Sequence, residues 1–359
     1  MKKTLIALAT LAAAGTSFAQ SSVTISGLLD MAYYKIGGSG STAQTNGQGV
    51  STIIGSATSA INFSVVEDLG GGLRAQAFVA LDPRTFAMDG AAGAATAPGI
   101  GRHETFVGVT GGFGQIRLGA VNSGSLAASS AGSVMGTATG GGYGVADLQA
   151  GGAIRYSRSV RYDTPRVNGF AASINYAPGN DDGTTAGNSL LGGIVMPVGA
   201  QVTDLGLSYV KGPINVTLSS LQRSATPGTT TPLVKSTYNS IGANYTMGAA
   251  RLFATMGDGD KSSQAAASGG LTALVNSTPN LDTKLSRIGG QYTMGATTLM
   301  ASNTTLEVGT TPKRTIMGLR ADYALSKRTA AYGVYESIDT GATSANKINT
   351  VAVGVRHTF

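Results

Sequence analysis

Along much of this chain, apolar and polar residues alternate one for one. Near its end, Val351, Val353, Val355, His357 and Phe359 fall on one side of an extended chain, and Ala352, Gly354, Arg356 and Thr358 on the other. A period of two over that length predicts a strand with one apolar and one polar face. Val23, Ile25, Leu29, Met31 and Tyr33 repeat the pattern against Thr24, Ser26 and Asp30. So do Leu73, Ala75, Ala77 and Val79, and again Ile241, Ala243, Tyr245 and Met247. Segments of roughly ten residues have the length of a tilted strand that crosses a bilayer. An aromatic at the last position, Phe359, is expected to close such a barrel and to sit in its interfacial girdle.

Short and long connections alternate between these segments. Short turns are expected at Glu67–Gly72, Gly111–Gly114, Pro165–Gly169, Lys211–Pro213, Met247–Ala250, Met294–Ala296 and Leu325–Arg328, where Gly and Pro supply the backbone angles. Longer Gly/Ser/Thr-rich stretches, such as Gly37–Ser59, Pro83–Gly101 and Gly257–Lys284, lie between them. Seven internal hairpins, with an eighth made where the termini meet, predict an all-β chain: a transmembrane antiparallel barrel of 16 strands, a size that leaves an aqueous channel. Tyr245-Thr246-Met247-Gly248-Ala249 recurs as Tyr292-Thr293-Met294-Gly295-Ala296. Each copy sets a Tyr just before a short turn, as an aromatic girdle on one rim requires.

Composition agrees with this reading. Of 359 residues, 53 are Gly and only 12% are charged, which argues against a helical globule. Cysteine is absent, so disulfide and thiolate chemistry are excluded. Residues 1–19 form a separate object: Lys2 and Lys3, an apolar run from Leu5 to Ala14, and the small-x-small site Ser17-Phe18-Ala19 predict a cleaved signal peptide. The barrel domain is then residues 20–359, and removing Lys2 and Lys3 lowers the net charge from +7 to +5.

No catalytic constellation is visible. The two histidines, His103 and His357, lie far apart and lack converging carboxylates. Gly140-Gly141-Gly142 does not sit between a strand and a helix as a phosphate loop would. Asp181-Asp182-Gly183 reads as a solvated turn rather than a calcium loop. No cofactor, metal or nucleic acid is expected. On strict alternation, Arg74, Arg102, Arg117, Arg155, Arg161, Arg223, Arg251, Arg287, Arg320 and Arg356 fall on the polar, inward face. Asp30, Asp82, Glu104, Asp163, Asp204 and Asp322 share it, which leaves the channel basic and draws anions into it. His103, at a strand entrance where phase can slip, is a further pore-lining candidate.

Several segments, in order along the chain, resemble the Gram-negative general porins of the beta-proteobacterial type. They are Glu67-Asp68-Leu69-Gly70-Gly71-Gly72-Leu73-Arg74-Ala75, Gly112-Phe113-Gly114-Gln115-Ile116-Arg117-Leu118-Gly119, and Val160-Arg161-Tyr162-Asp163-Thr164-Pro165 with Gly169-Phe170. Tyr323-Ala324-Leu325-Ser326-Lys327-Arg328-Thr329 and the ending Val355-Arg356-His357-Thr358-Phe359 complete the set. The resemblance implies a homotrimer in outer-membrane lipid, delivered to the barrel-assembly machinery through its C-terminal strand. Each barrel would pass small hydrophilic solutes and be narrowed by a third long loop folded into the lumen, here about Asn122 to Ala153. Arg155 matches an arginine of the family's constriction, and Asp147 of the loop joins it as a candidate. Ala60 and Ala120 stand where the family often has Arg, so the implied anion preference is mild.

Overall fold

The computed structural model describes residues 21–39, 50–56, 59–81, 83, 100–178, 189–190, 194–195, 200–225, 235–262, 281–341 and 347–359. The signal-peptide segment, Asp82 and Asp181-Asp182 lie outside the described residues, as does the side chain of Arg102.

Sixteen antiparallel staves close into one barrel. They are β1 (Ser22–Gly37), β2 in two pieces (Val50–Ile54 and Ala60–Gly70), β3 (Leu73–Leu81), β4 (Ile100–Gly111) and β5 (Gly114–Asn122). Next come β6 (Arg155–Asp163), β7 (Phe170–Ala177), β8 (Ala200–Lys211), β9 (Ile214–Ala225) and β10 (Ser236–Met247). The circuit ends with β11 (Ala250–Asp260), β12 (Thr283–Met294), β13 (Thr297–Val308), β14 (Arg314–Ala324), β15 (Thr329–Asp339) and β16 (Lys347–Thr358). Each pairs with its neighbours in sequence, and β16 returns to β1 over Leu28–Gly37, from Leu28↔Thr358 to Gly37↔Asn349. Closure satisfies the backbone groups that an open sheet edge would leave bare in hydrocarbon. Phe359 extends the seam, exchanging backbone hydrogen bonds with Gly27 at 3.0 and 3.1 Å.

The seven short turns fall where they were expected, six of them on Gly or Pro and the seventh on Leu325–Arg328, which has neither. The alternation also sorts the faces: Val107, Leu118, Leu218, Ile288, Val353 and Val355 are exposed on the outside. Tyr245, Tyr292 and Tyr323 are half-exposed on the outer face, each just before a short turn. The inner face carries Arg287, Arg320, Asp204 and Thr304, all buried.

Three departures from strict alternation matter. The stretch Gly37–Ser59, expected as loop, contributes Val50–Ile54 as the upper half of β2, paired with Ala32–Ile36 of β1. The two pieces of the stave end at Ile54 and resume at Ala60. On β6, Arg158 takes a positive φ of 53°, and the β5–β6 ladder slips between Gly119 and Val121. Tyr156, rather than Ser157, is therefore the next buried residue below Ser159. On β4 the ladder with β3 slips between Thr105 and Ile100, opposite Val79 and Leu81, beside His103.

The third long connection, between β5 and β6, lies inside the barrel. Ser123 caps a helix, α1 (Gly124–Gly132), its hydroxyl accepting from Leu126 N at 3.0 Å. A π-helical turn at Tyr143–Asp147 runs on into Leu148–Ala150. Tyr143, Ala146, Leu148 and Ala150 pack with the inward side chains of Leu221, Tyr238, Leu285, Leu306, Ile316 and Ile338, so the barrel has an apolar core around the loop. Gly242 and Gly318 let the loop approach: a Cβ on Gly242 would stand 1.7 Å from Ala128 O, and one on Gly318 1.9 Å from Gly140 O.

Candidate functional site

An irregular chain packed against a barrel wall must find partners for the backbone groups it buries there, because water does not reach them. From the wall, Asp204, Glu336, Ser302 and Arg223 take up several of these groups, and an Asp147–Arg287 ion pair fastens the loop through its side chains. At the first end, Asp204 of β8 accepts Gly124 N (2.8 Å) and Ser125 N (3.3 Å) at the start of α1. Its carboxylate also receives Tyr156 Oη (3.1 Å) and Ser219 Oγ (2.7 Å). A carboxylate at a helix N-terminus answers both the bare N–H groups and the helix dipole.

In the middle, Asp147 forms a buried ion pair with Arg287 of β12 and accepts Ser129 Oγ at 2.5 Å. Arg287 Nε donates to Thr304 Oγ1 at 2.8 Å. Asp147 is only 2% exposed, so it clasps the loop to the wall rather than facing an open passage. Nearby, Arg314 donates to Gln149 and Arg223 to Gly151 O. Burial, with the adjacent Asp147 charge, pushes the Tyr143 hydroxyl well above its ordinary pKa, so it stays a neutral donor to Ala153 O.

At the far end, Gly140 N donates to Glu336 of β15 (2.8 Å), and Gly140 O accepts Ser302 Oγ (2.7 Å). Thr139 N reaches Ser56 O at 3.1 Å, in the break of β2. That break is itself tied to Asp30, which accepts Ser56 N (2.9 Å) and Tyr332 Oη (2.5 Å). Arg320 lies 4.1 Å over the Tyr332 ring and donates to Asp322 at 2.6 Å; Asp322 also pairs with Arg356 at 2.8 Å.

The other sequence candidates gather at the root of the loop. Arg117 pairs with Glu104 (3.0 Å) and Asp163 (2.7 Å), and its guanidinium stacks 5.2 Å from the Phe106 ring. Arg161 pairs with the same Asp163 (2.7 Å) and donates to Asn122 O (2.7 Å). Arg155 stands opposite Asn122 in the β5–β6 ladder and is 7% exposed. Arg74 is exposed beside the first short turn, and His103 is 8% exposed at the β4 slip. The structure therefore brings Arg117, Arg161 and Arg155 together and leaves Arg74 apart.

Sequence reasoning missed Glu336 and Arg314 on the inner face. Both follow the alternation of their strands, so phase alone would have found them. Ser56, Ser129 and Gln149 gave no signal, because their partners lie from 18 to 165 positions away and at no regular spacing. With Asp147 and Glu336 added, the inner-face excess of arginine over acid is smaller than strict alternation gave. Among the described residues no group of three His, Asp or Glu side chains is placed to hold a metal.

Comparison with known proteins agrees with this architecture. A Delftia acidovorans protein, "Outer membrane porin protein 32", is 33% identical over 266 residues, covering 70% of this chain and 68% of its own. "Major outer membrane protein P.IB" of Neisseria gonorrhoeae is 36% identical over 135 residues, 35% of this chain and 34% of its own. Among solved structures, "Anion-selective porin from Comamonas acidovorans" superposes with a TM-score of 0.70 at 21% identity, over 95% of this chain and all of that one. A loop-deletion form of OmpT from Vibrio cholerae superposes with a TM-score of 0.66 at 18% identity, over 94% and 99%. The profile of the Gram-negative porins matches residues 4–343, and the chain belongs to that family of outer-membrane channel proteins.

Proposed function

We propose that this chain is a passive diffusion channel for small hydrophilic solutes and ions, with a mild anion preference and no enzymatic activity. One observation carries the reading: a closed barrel whose third connection is folded inward and fastened along the wall, with Arg117, Arg161 and Arg155 grouped at its root. Fixed positive charge beside a narrow passage with low-dielectric walls attracts anions. Five of the inward arginines, at 117, 161, 287, 320 and 356, are paired with acids, which supports a mild preference rather than a strong one.

Residues 1–19 are read as a signal peptide that directs export. A homotrimer follows from the family resemblance and from the trimeric form of the Vibrio cholerae structure, OmpT, to which the fold is similar. Assembly is read as passing through the C-terminal strand, whose Phe359 completes the seam.

Swelling of proteoliposomes tests the channel directly. Flux should fall steeply with sugar size and rise linearly with concentration. Saturable uptake of one sugar would instead assign a substrate-specific pore.

A further inference from the structure

A groove of about 820 Å³ runs along the outside of the barrel, across β8 to β13 and up to Lys313 at the start of β14. Its floor is a row of apolar side chains in cross-strand register: Leu207 pairs with Leu218, Leu218 with Ile241, and Ile241 with Met256. All four are exposed, Met256 at 67%. Two positions away along β10 and β11, on the same face, the row turns polar. Asn239 pairs with Asp258, Asp258 with Lys284, and Lys284 with Glu307. Lys313 ends this second row, 3.3 Å from Glu307. The polar row lies on the side of the long connections, away from the short turns at Met247–Ala250 and Met294–Ala296. In outer-membrane barrels the short turns face the periplasm and the long loops the cell exterior, so the groove opens toward the outer leaflet.

An apolar groove in a lipid-facing wall receives acyl chains whatever their headgroup; the charged row decides which lipid stays. Charge alternates in sign along it, from Asp258 through Lys284 and Glu307 to Lys313. The Glu307–Lys313 pair is half-exposed and weak. Asp258 and Lys284 stand directly opposite each other, yet among the described residues neither side chain has an ion-pair partner. A lysine lays its stem on apolar surface while its ammonium reaches the headgroup region, where it meets phosphate. Carboxylates on either side of that phosphate are ligands for the divalent cations it attracts.

We propose that this groove holds a phosphorylated glycolipid of the outer leaflet. An acyl chain lies over Leu207, Leu218, Ile241 and Met256, and a headgroup phosphate rests on Lys284. Divalent cations are shared between that phosphate and the flanking Asp258 and Glu307. The site is on the outer wall and does not depend on the ion preference of the channel.

Native mass spectrometry of the intact, detergent-solubilised protein tests the site, with lipid A, a phosphorylated glycolipid, and its dephosphorylated form as probes. The wild type should retain a single lipid A per protomer and bind the dephosphorylated form at least about tenfold more weakly, the loss of one charge-assisted contact. Lys284→Glu should abolish that preference, and Asp258→Asn should remove the strengthening that Mg²⁺ gives. Leu218→Trp, which fills the floor, should weaken both lipids alike. Lys35→Glu, at a lysine exposed on the outside of β1, should leave the preference intact. The single-channel conductance of each variant reports that the barrel is whole. Equal retention of the two lipids by the wild type, or equal loss in Lys284→Glu and Lys35→Glu, overturns the site. A changed subunit number in Lys284→Glu would assign the groove to a subunit interface and overturn it as well.

Discussion

Replacing Arg287 with Met tests whether a buried ion pair holds the inward loop. The Arg287 side chain is fully buried and that of Asp147 is 3% exposed, so neither charge has water to fall back on. Without the guanidinium, Asp147 keeps Ser129 Oγ as its partner but loses its counter-charge in an apolar setting. Removing one member of a buried pair costs about 3–5 kcal/mol. The barrel ladder does not bear that cost, because β12 pairs with β11 and β13 through its backbone. It falls on the seating of the loop, and at about 1.4 kcal/mol per decade the seated population should drop at least about a hundredfold relative to unseated forms. Asp204 and Glu336 still tether the two ends, so the middle of the loop should fluctuate rather than detach. Single-channel recording should then show excess open-channel noise and substates at unchanged barrel yield. The double variant Asp147→Asn/Arg287→Met, which leaves no orphaned charge, should be quieter than Arg287→Met alone. Wild-type noise and conductance in Arg287→Met would refute the clasp.

Gly242→Val should disturb the same loop from the wall side, since its Cβ would meet Ala128 O; a changed conductance with normal heat-stability of the barrel checks this. Val353, 58% exposed on the outer face, should face hydrocarbon, and Val353→Arg should cost about 2–4 kcal/mol in refolding stability if it lies near the midplane. Arg155→Glu should move the zero-current potential toward cations more than Arg158→Glu, and less so in high salt, because fixed charges act over roughly 10 Å at 0.1 M. Equal shifts would remove Arg155 from the constriction.

The parts of this protein that were legible in its sequence are those set by local chemistry. Alternation in β16 and the Gly or Pro residues of the short turns depend on neighbours a few positions away, and they fix strand count, face and closure. The inward loop was legible only as a Gly-, Ala- and Ser-rich stretch. Its clasp joins Asp147 to a residue 140 positions later, and its far end rests on Ser56, in the break of β2. Such pairs leave no periodic trace. Phase failed where the backbone departs from regular pleating. Arg158 at positive φ shifts the register, so the five residues between Arg155 and Arg161 do not carry the regular spacing that alternation assumes. Helix α1 was missed because its stability comes from Asp204 and the glycine-lined wall, not from its own side chains.

The zero-current potential of the purified protein across a KCl gradient tests the central claim most directly. A passive channel with a modest excess of inward arginine should give stepwise, ohmic conductance and a potential of the sign set by chloride, shrinking as total salt rises. A potential set by potassium, or the absence of discrete conductance steps, would contradict it.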